Sequence, residues 1–301
     1  MNQEFNKIFW RIGQEITPET FIQSDNYVCR QHNLLRRLIA DKCHGLMPYG
    51  DSGEAAFMVK ANLNNKELSV EQLVCSGATS AGYFADISNK IFASLPKKYV
   101  SIPDFADKPL YIVLRINPFE QVLIEPVILE EAPEAHASYE LNIRELDNIG
   151  EDELAIIKVD SRNHTPEINS DYIPPCMSIN ACSKLLETYK QLKHLLTDIQ
   201  SHVEHKGELF GATLYPIIML QNELDEFPLS GQPIALLRLI RKIILTYRFF
   251  VQGVRTITLP DFLRDYNHND MSITFNSLLS YLQSVMRVVS EGIEEDFTPR
   301  I

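Results

Sequence analysis

The stretch that decides the fold runs from Tyr172 to His205: YIPPCMSINACSKLLETYKQLKHLLTDIQSHVEH. Two consecutive prolines, Pro174 and Pro175, can neither continue a helix nor sit inside a sheet, so they mark a hard boundary. Ser178 offers a helix N-cap after them. Apolar residues then fall at Cys182, Leu185, Tyr189, Leu192, Leu196, Ile199 and Val203. Steps of three and four in alternation describe a coiled-coil seam rather than a loose amphipathic face. The chain reads as strands before the prolines and as helices after the seam, which predicts a β domain joined to a helical domain of assembly.

On the N-terminal side, six short runs read as strands: Ala56–Lys60, Glu67–Cys75, Leu110–Ile116, Val122–Leu129, Ser138–Arg144 and Leu154–Val159. Each is bounded by Gly, Pro, Asn or Asp. Regular short strands with no helix between them predict an antiparallel, sandwich-like domain. Ahead of them Thr17-Pro18 is a helix start, with a hydroxyl at the cap and proline in the first turn. A helix is expected from there to about Asp41, with Phe21, Val28, Leu35, Leu38 and Ile39 as its buried side. Phe9, Trp10 and Ile12 form a short apolar arm before it.

On the C-terminal side, helices are expected from Pro216 to about Phe227, from Gln232 to Val254 and from Ser272 to Ile293. The second has the spine Leu236, Ile240, Ile243, Tyr247, Phe250, Val254, and a second line at Leu237, Ile244 and Val251. The third has Met271, Phe275, Leu278, Leu282, Val285 and Val289, and a second line at Leu279, Met286 and Ile293. Heptad seams on three helices describe a bundle, and the second lines predict self-association. The fold class read from the sequence is therefore α+β: an antiparallel β-sandwich-like domain at 1–175, then a helical bundle with coiled-coil seams at 176–301.

The formal charge is −12. Acids outnumber bases by 26 to 16 up to Pro175 and by 14 to 12 after it, so the first part carries −10 of the total. That argues against nucleic acid or anionic lipid as its main partner. Five cysteines at 29, 43, 75, 176 and 182 make an odd number without a disulfide-framework spacing, which suits a reducing compartment. Neither a secretion signal nor a run of about 18 apolar residues is present, and a cytoplasmic location is expected.

Residues that could carry chemistry are sparse. Cys29, His32, Cys43 and His44 can be drawn as a zinc set, but their spacing matches no common site. His202 and His205 lack a third ligand nearby. The run from Ser76 to Gly82 lacks the lysine of a phosphate loop and reads as a long connection between strands. There is no G-x-S-x-G and no histidine–carboxylate pattern for a nucleophile. Arg238, Arg241, Lys242, Arg248 and Arg255 lie in a stretch without acids from Phe227 to Pro260, and ion pairing between helices is their expected use. No enzyme activity, cofactor or metal is expected.

Several of these stretches together resemble TssK, a family of type VI secretion baseplate proteins. Trp10-x-x-Gly13, followed by Ile16, Pro18, Phe21 and Asp25, is similar to the family opening W-x-x-G-x-x-L-x-P-x-H-F, with Thr20 where histidine is usual. Gly45-Leu46 fits the glycine–leucine after the first helix. Leu154 to Pro175, a strand, a turn and then Asp171-Tyr172-Ile173-Pro174-Pro175, fits the family's strand and "IPP" segment, continued by Cys176, Ile179 and Ala181.

The resemblance implies an N-terminal "shoulder", a helical "neck", three copies assembled along the neck, and a shoulder that binds the TssF–TssG wedge. It implies that Trp10, Gly13, Pro18 and Phe21 face the wedge or pack within the shoulder. Leu185, Leu192, Leu196, Leu278, Leu282 and Val285 hold the neck, between copies or inside one bundle. The family continues into a head domain that docks on the envelope complex of TssJ, TssL and TssM. Here a head is either cut from the sequence or lacking in the lineage, and Phe297-Thr-Pro-Arg-Ile reads as an interdomain link cut short. The rival reading is a phage-type receptor-binding protein for a surface glycan, which shares the shoulder and the trimer.

Overall fold

The computed structural model describes residues 7–13, 15–39, 44–48, 57–64, 66–103, 108–124, 134–162, 165–205, 215–250, 254, 257–262 and 264–291. The chain is mixed α and β, with antiparallel sheets and six α-helices among those residues. It divides into two compact units, residues 1–170 with 174–176, and residues 171–173 with 177–301.

Among the described residues the first unit opens with α1 (Pro18–Ile39) and contains nine strands and a short helix α2 (Asn89–Ser94). One sheet holds β1 (Gly45–Met47), β2 (Met58–Asn64), β3 (Glu67–Ala78), β4 (Phe84–Ile87) and β5 (Tyr99–Ser101). Its axis is β3, flanked by β2 and β5 along its first half and by β1 and β4 along its second. Burial follows that pairing. Leu68, Val70, Leu73 and Cys75 alternate with more open neighbours, then Cys75 to Ala78 are all buried where strands lie on both sides.

The second sheet has the order β7 (Glu134–Glu145), β6 (Leu110–Ile124), β8 (Glu153–Arg162), β9 (Thr165–Ile168). Tyr111 to Leu114 of β6 and Leu154 to Val159 of β8 are its buried run. The two sheets meet through β4 with β6, β5 with β7, and β2 with β9.

The sequence predicts separate strands at 110–116 and 122–129. The structure has one strand to Ile124, with residues 125–129 outside the described part. Pairing with β7 jumps from Asn117–Ser138 to Gln121–Ala137, so Pro118, Phe119 and Glu120 bulge out of the ladder. Pro118, which has no donor to give, falls where none is needed. The Ser76–Gly82 run is not a long connection: Ser76 to Ala78 complete β3, and Thr79 and Tyr83 close a tight turn by a backbone hydrogen bond of 2.9 Å. Strands β1, β4, β5 and β9 and helix α2 are additions to the elements expected from the sequence. Four of these five are of three or four residues, too short for a periodic signal.

Gly45 has φ +123°, and a Cβ there would overlap the Pro175 carbonyl and lie 2.6 Å from the Cys176 nitrogen. The Leu46 N–H donates to the Pro175 carbonyl at 2.7 Å. Two distant motif pieces, Gly45-Leu46 and Pro175-Cys176, are thus one backbone contact that only glycine admits.

The second unit contains α3 (Ser183–His205), α4 (Tyr215–Asp225), α5 (Pro233–Phe250) and α6 (Met271–Glu291). The expected cap at Ser178 instead opens a 3-10 turn at Ile179–Ala181, and α3 begins only at Ser183. All seven residues of the α3 line, from Cys182 to Val203, are buried. Burying Leu192, Leu196 and Ile199 is worth about 2–3 kcal/mol each. α3 packs on α6 and α4, and α4 packs on α5. Just before α6, buried Asp270 accepts from the Ser272 hydroxyl. The Tyr172 hydroxyl donates to the Asn269 carbonyl at 2.7 Å, and the Met271 N–H to the Ile173 carbonyl at 3.3 Å.

Candidate interaction surface

Helix α1 lies on its own unit by its polar side. Its one buried residue, among the described side chains, is Asn33, 5% exposed. Asn33 donates to the Cys29 sulfur at 3.6 Å and accepts from Arg36 at 3.4 Å. Beneath it Gly82, at φ +82°, has no room for a Cβ, which would overlap the Asn33 carbonyl oxygen. Arg36 lies over the Phe84 ring, 5.2 Å from its centre, and Arg37 pairs with Glu151 at 3.4 Å. The Arg37–Glu151 pair is largely solvated and contributes little. Burial raises the Cys29 thiol above its ordinary value, against the lowering effect of Asn33 and Arg36.

The apolar side of α1 points away. Phe21, Ile22, Val28, Leu34, Leu35 and Leu38 are all exposed, Phe21 by 56% and Leu38 by 78%. This reverses the expectation that Phe21, Val28, Leu35 and Leu38 are its buried side; Ile39 and the stretch to Asp41 are not covered by the described side chains. Periodicity marks an apolar face, but it does not say whether that face meets the chain's own core. Here the Asn33 backbone against Gly82 and the Arg36 guanidinium on Phe84 seat the helix, contacts that a sequence pattern does not announce.

The arm continues this apolar surface. Trp10 is 46% exposed, and Phe9, Ile12 and Ile16 are exposed with it. Trp10 and Phe21 rings lie 6.2 Å apart at 49°. Gly13 has φ +82° and open space for 4 Å around the position a Cβ would take, so it serves the turn rather than a tight fit. Thr17 and Thr20 hydroxyls lie 3.1 Å apart beside Pro18 at the helix start. The ring pair thus brings the arm, with Trp10 and Gly13, against the first turn of α1, with Pro18 and Phe21.

The helical candidates behave differently. Leu185, Leu192, Leu196, Leu278, Leu282 and Val285 are at most 2% exposed within a single chain. They are enclosed by their own chain, so they are not a surface that another copy can meet. Leu237 and Ile244 of the second line are buried as well; Val251 and Ile293 lie outside the described residues. Of the basic residues of α5, Lys242 stands 4.0 Å from Glu223 on α4, and Arg248 donates to the Val254 and Ile257 carbonyls and the Tyr281 hydroxyl. Arg255 lies outside the described residues.

Among the described residues no three His, Cys, Asp or Glu side chains stand together as a metal site, and no helix is long and apolar enough to cross a membrane. Cys43 is outside the described residues. The His202 ring bonds within its own helix, with the Asp198 carbonyl at 2.9 Å. Cys75 is fully buried, which pushes its thiol up to about 12. What the first unit offers is an apolar contact surface built from the arm and α1.

No protein-family model matches the chain, and no curated protein matches it significantly by sequence. Solved structures do match. A chain of the type VI secretion TssK–TssF–TssG baseplate subcomplex superposes with a TM-score of 0.61 at 14% identity, covering 95% of this chain and 100% of that one. A chain of a type VI secretion baseplate complex gives 0.59 at 13%, covering 94% and 100%. The crystal structure of TssK gives 0.56 at 13%, covering 98% of this chain and 71% of that one. The chain has a TssK-like fold.

Proposed function

We propose that this chain, with its TssK-like fold, is a non-enzymatic structural subunit of a type VI secretion baseplate. One observation carries the reading: the fold agrees along 95% of the chain with a member of a TssK–TssF–TssG subcomplex. In this reading residues 1–175 are a sandwich-like shoulder and residues 176–301 a bundle-like neck. Three copies form the adaptor, and the shoulder holds the TssF–TssG wedge in the cytoplasm, beneath the inner membrane. An envelope complex is a further partner only through a head domain of the kind the sequence resemblance implies.

The wedge contact falls to Trp10, Gly13, Pro18 and Phe21. What supports it is the exposed ring pair of Trp10 and Phe21, since aromatic anchors dominate contact energies. The buried neck residues Leu185, Leu192, Leu196, Leu278, Leu282 and Val285 keep each neck rigid from inside. Binding rather than catalysis is the role that an apolar, weakly charged surface suits.

Co-expression with TssF and TssG tests this. The three proteins are expected to co-purify, and Trp10→Ala to weaken the complex by about 2 kcal/mol, roughly 30-fold in affinity. Failure of the unaltered chain to co-purify overturns the baseplate reading. An unchanged complex on Trp10→Ala removes that residue from the contact.

A further inference from the structure

Two polar atoms are sealed inside the helical unit without a hydrogen-bond partner among the described residues: Gln221 Oε1 on α4 and the Tyr247 hydroxyl on α5. The two residues are 5% and 2% exposed. Gln221 stands in the buried line Ile217, Gln221, Leu224, and Tyr247 in the buried line Leu236, Ile240, Ile243, Tyr247. Both therefore face the core at positions that an apolar residue would ordinarily fill. α4 and α5, packed on one another across a short connection, run in opposite directions, with Lys242 4.0 Å from Glu223. Gln221 and Tyr247 lie on the same side of that contact. Side chains lean toward the start of their own helix, so these two lean toward each other.

Their hydrogen-bonding roles are complementary. The Thr197 hydroxyl of α3 donates to the Lys193 carbonyl at 3.0 Å, so it accepts from Gln221 Nε2 at 3.2 Å, and the amide oxygen is left to the interior. Burial, with Glu204 adding to it, pushes the Tyr247 phenol above its ordinary value, so the hydroxyl keeps a proton to donate. Buried polar atoms are as a rule satisfied, and leaving them unpaired is costly. A guest that accepts from a phenol and donates to an amide in apolar surroundings has to be neutral, since a buried ion would stand uncompensated. Water is the smallest molecule that does both. We propose that one water is bound inside the helical unit, accepting from the Tyr247 hydroxyl and donating to Gln221 Oε1. With the Gln221–Thr197 bond it makes a polar tie across α3, α4 and α5. Apolar seams alone specify register weakly, and a buried polar tie selects one register among several. The proposal rests on no part of the baseplate reading.

A high-resolution crystal structure of the whole chain is expected to show a water within hydrogen-bond distance of both atoms. A direct bond between the two side chains, or separate protein partners for each, overturns the proposal. Thermal unfolding supplies an independent sign. Tyr247→Phe removes only the hydroxyl and is expected to lower the melting temperature by about 2–4 °C, the loss of one net hydrogen bond in a unit of this size. An unchanged or higher melting temperature marks the hydroxyl as an orphan and overturns the proposal. Gln221→Met is expected to cost at least as much, because it also gives up the Thr197 bond. Tyr247→Phe with Gln221→Met is expected to lower the melting temperature by less than the two separate shifts together, since both break one tie. Additive shifts overturn it.

Discussion

At the scale of the residue, glycines separate two kinds of constraint. Gly45 is both left-handed in backbone and pressed against Pro175 and Cys176, whereas Gly13 has the same sign of φ with open space around it. Gly45→Ala is expected to cost about 3 kcal/mol, because the added carbon has to displace backbone, and Gly13→Ala about 1 kcal/mol from φ alone. Urea titration of both variants checks the order; equal losses would mean that the Pro175 contact is dispensable. Gly45 is visible in the sequence as a motif member, but its reason lies about 130 positions away in the chain. Single-sequence patterns are local, and this contact is not.

At the scale of the element, the chain contains one helix that periodicity reads well and one that it reads backwards. Every apolar residue picked out on α3 is buried, because a helix enclosed by neighbours has no other way to place a seam of threes and fours. On α1 the same kind of pattern lies open, since Asn33 and the Arg36–Phe84 contact decide its orientation. Leu192→Asp with Leu196→Asp is therefore expected to melt the helical unit, each charge costing on the order of 4 kcal/mol. Loss of helical circular dichroism on that variant is the readout. A folded, soluble double variant would mean that these two leucines are not interior. The β-bulge at Pro118 also escapes the pattern, which breaks at a proline whether the strand ends or merely swells.

At the scale of the whole molecule, the double proline is legible as a boundary, but the way the chain crosses it is not. Residues 171–173 belong to the helical unit, 174–176 return to the β unit, and the chain leaves again at Met177. A fragment ending at Ile173 therefore lacks Pro175 and Cys176, which bond and bury against Leu46. It is expected to unfold at least about 5 °C below a fragment ending at Ser178, taking about 2–4 °C per kcal/mol for a domain of this size. Equal melting temperatures in calorimetry would mean that the return stitch adds nothing. The candidate surface is half legible: its aromatic members come from motif spacing, while its extent along α1 needs coordinates.

That stitch also orders events during synthesis. The seat for Gly45 stays unfilled until Cys176 has left the ribosome, and the Ile173 carbonyl waits until Met271, 98 residues after it in the chain, supplies its N–H. A nascent chain paused in the helical half therefore has every residue of the β unit already made, while α6, on which α3 packs, is still to come.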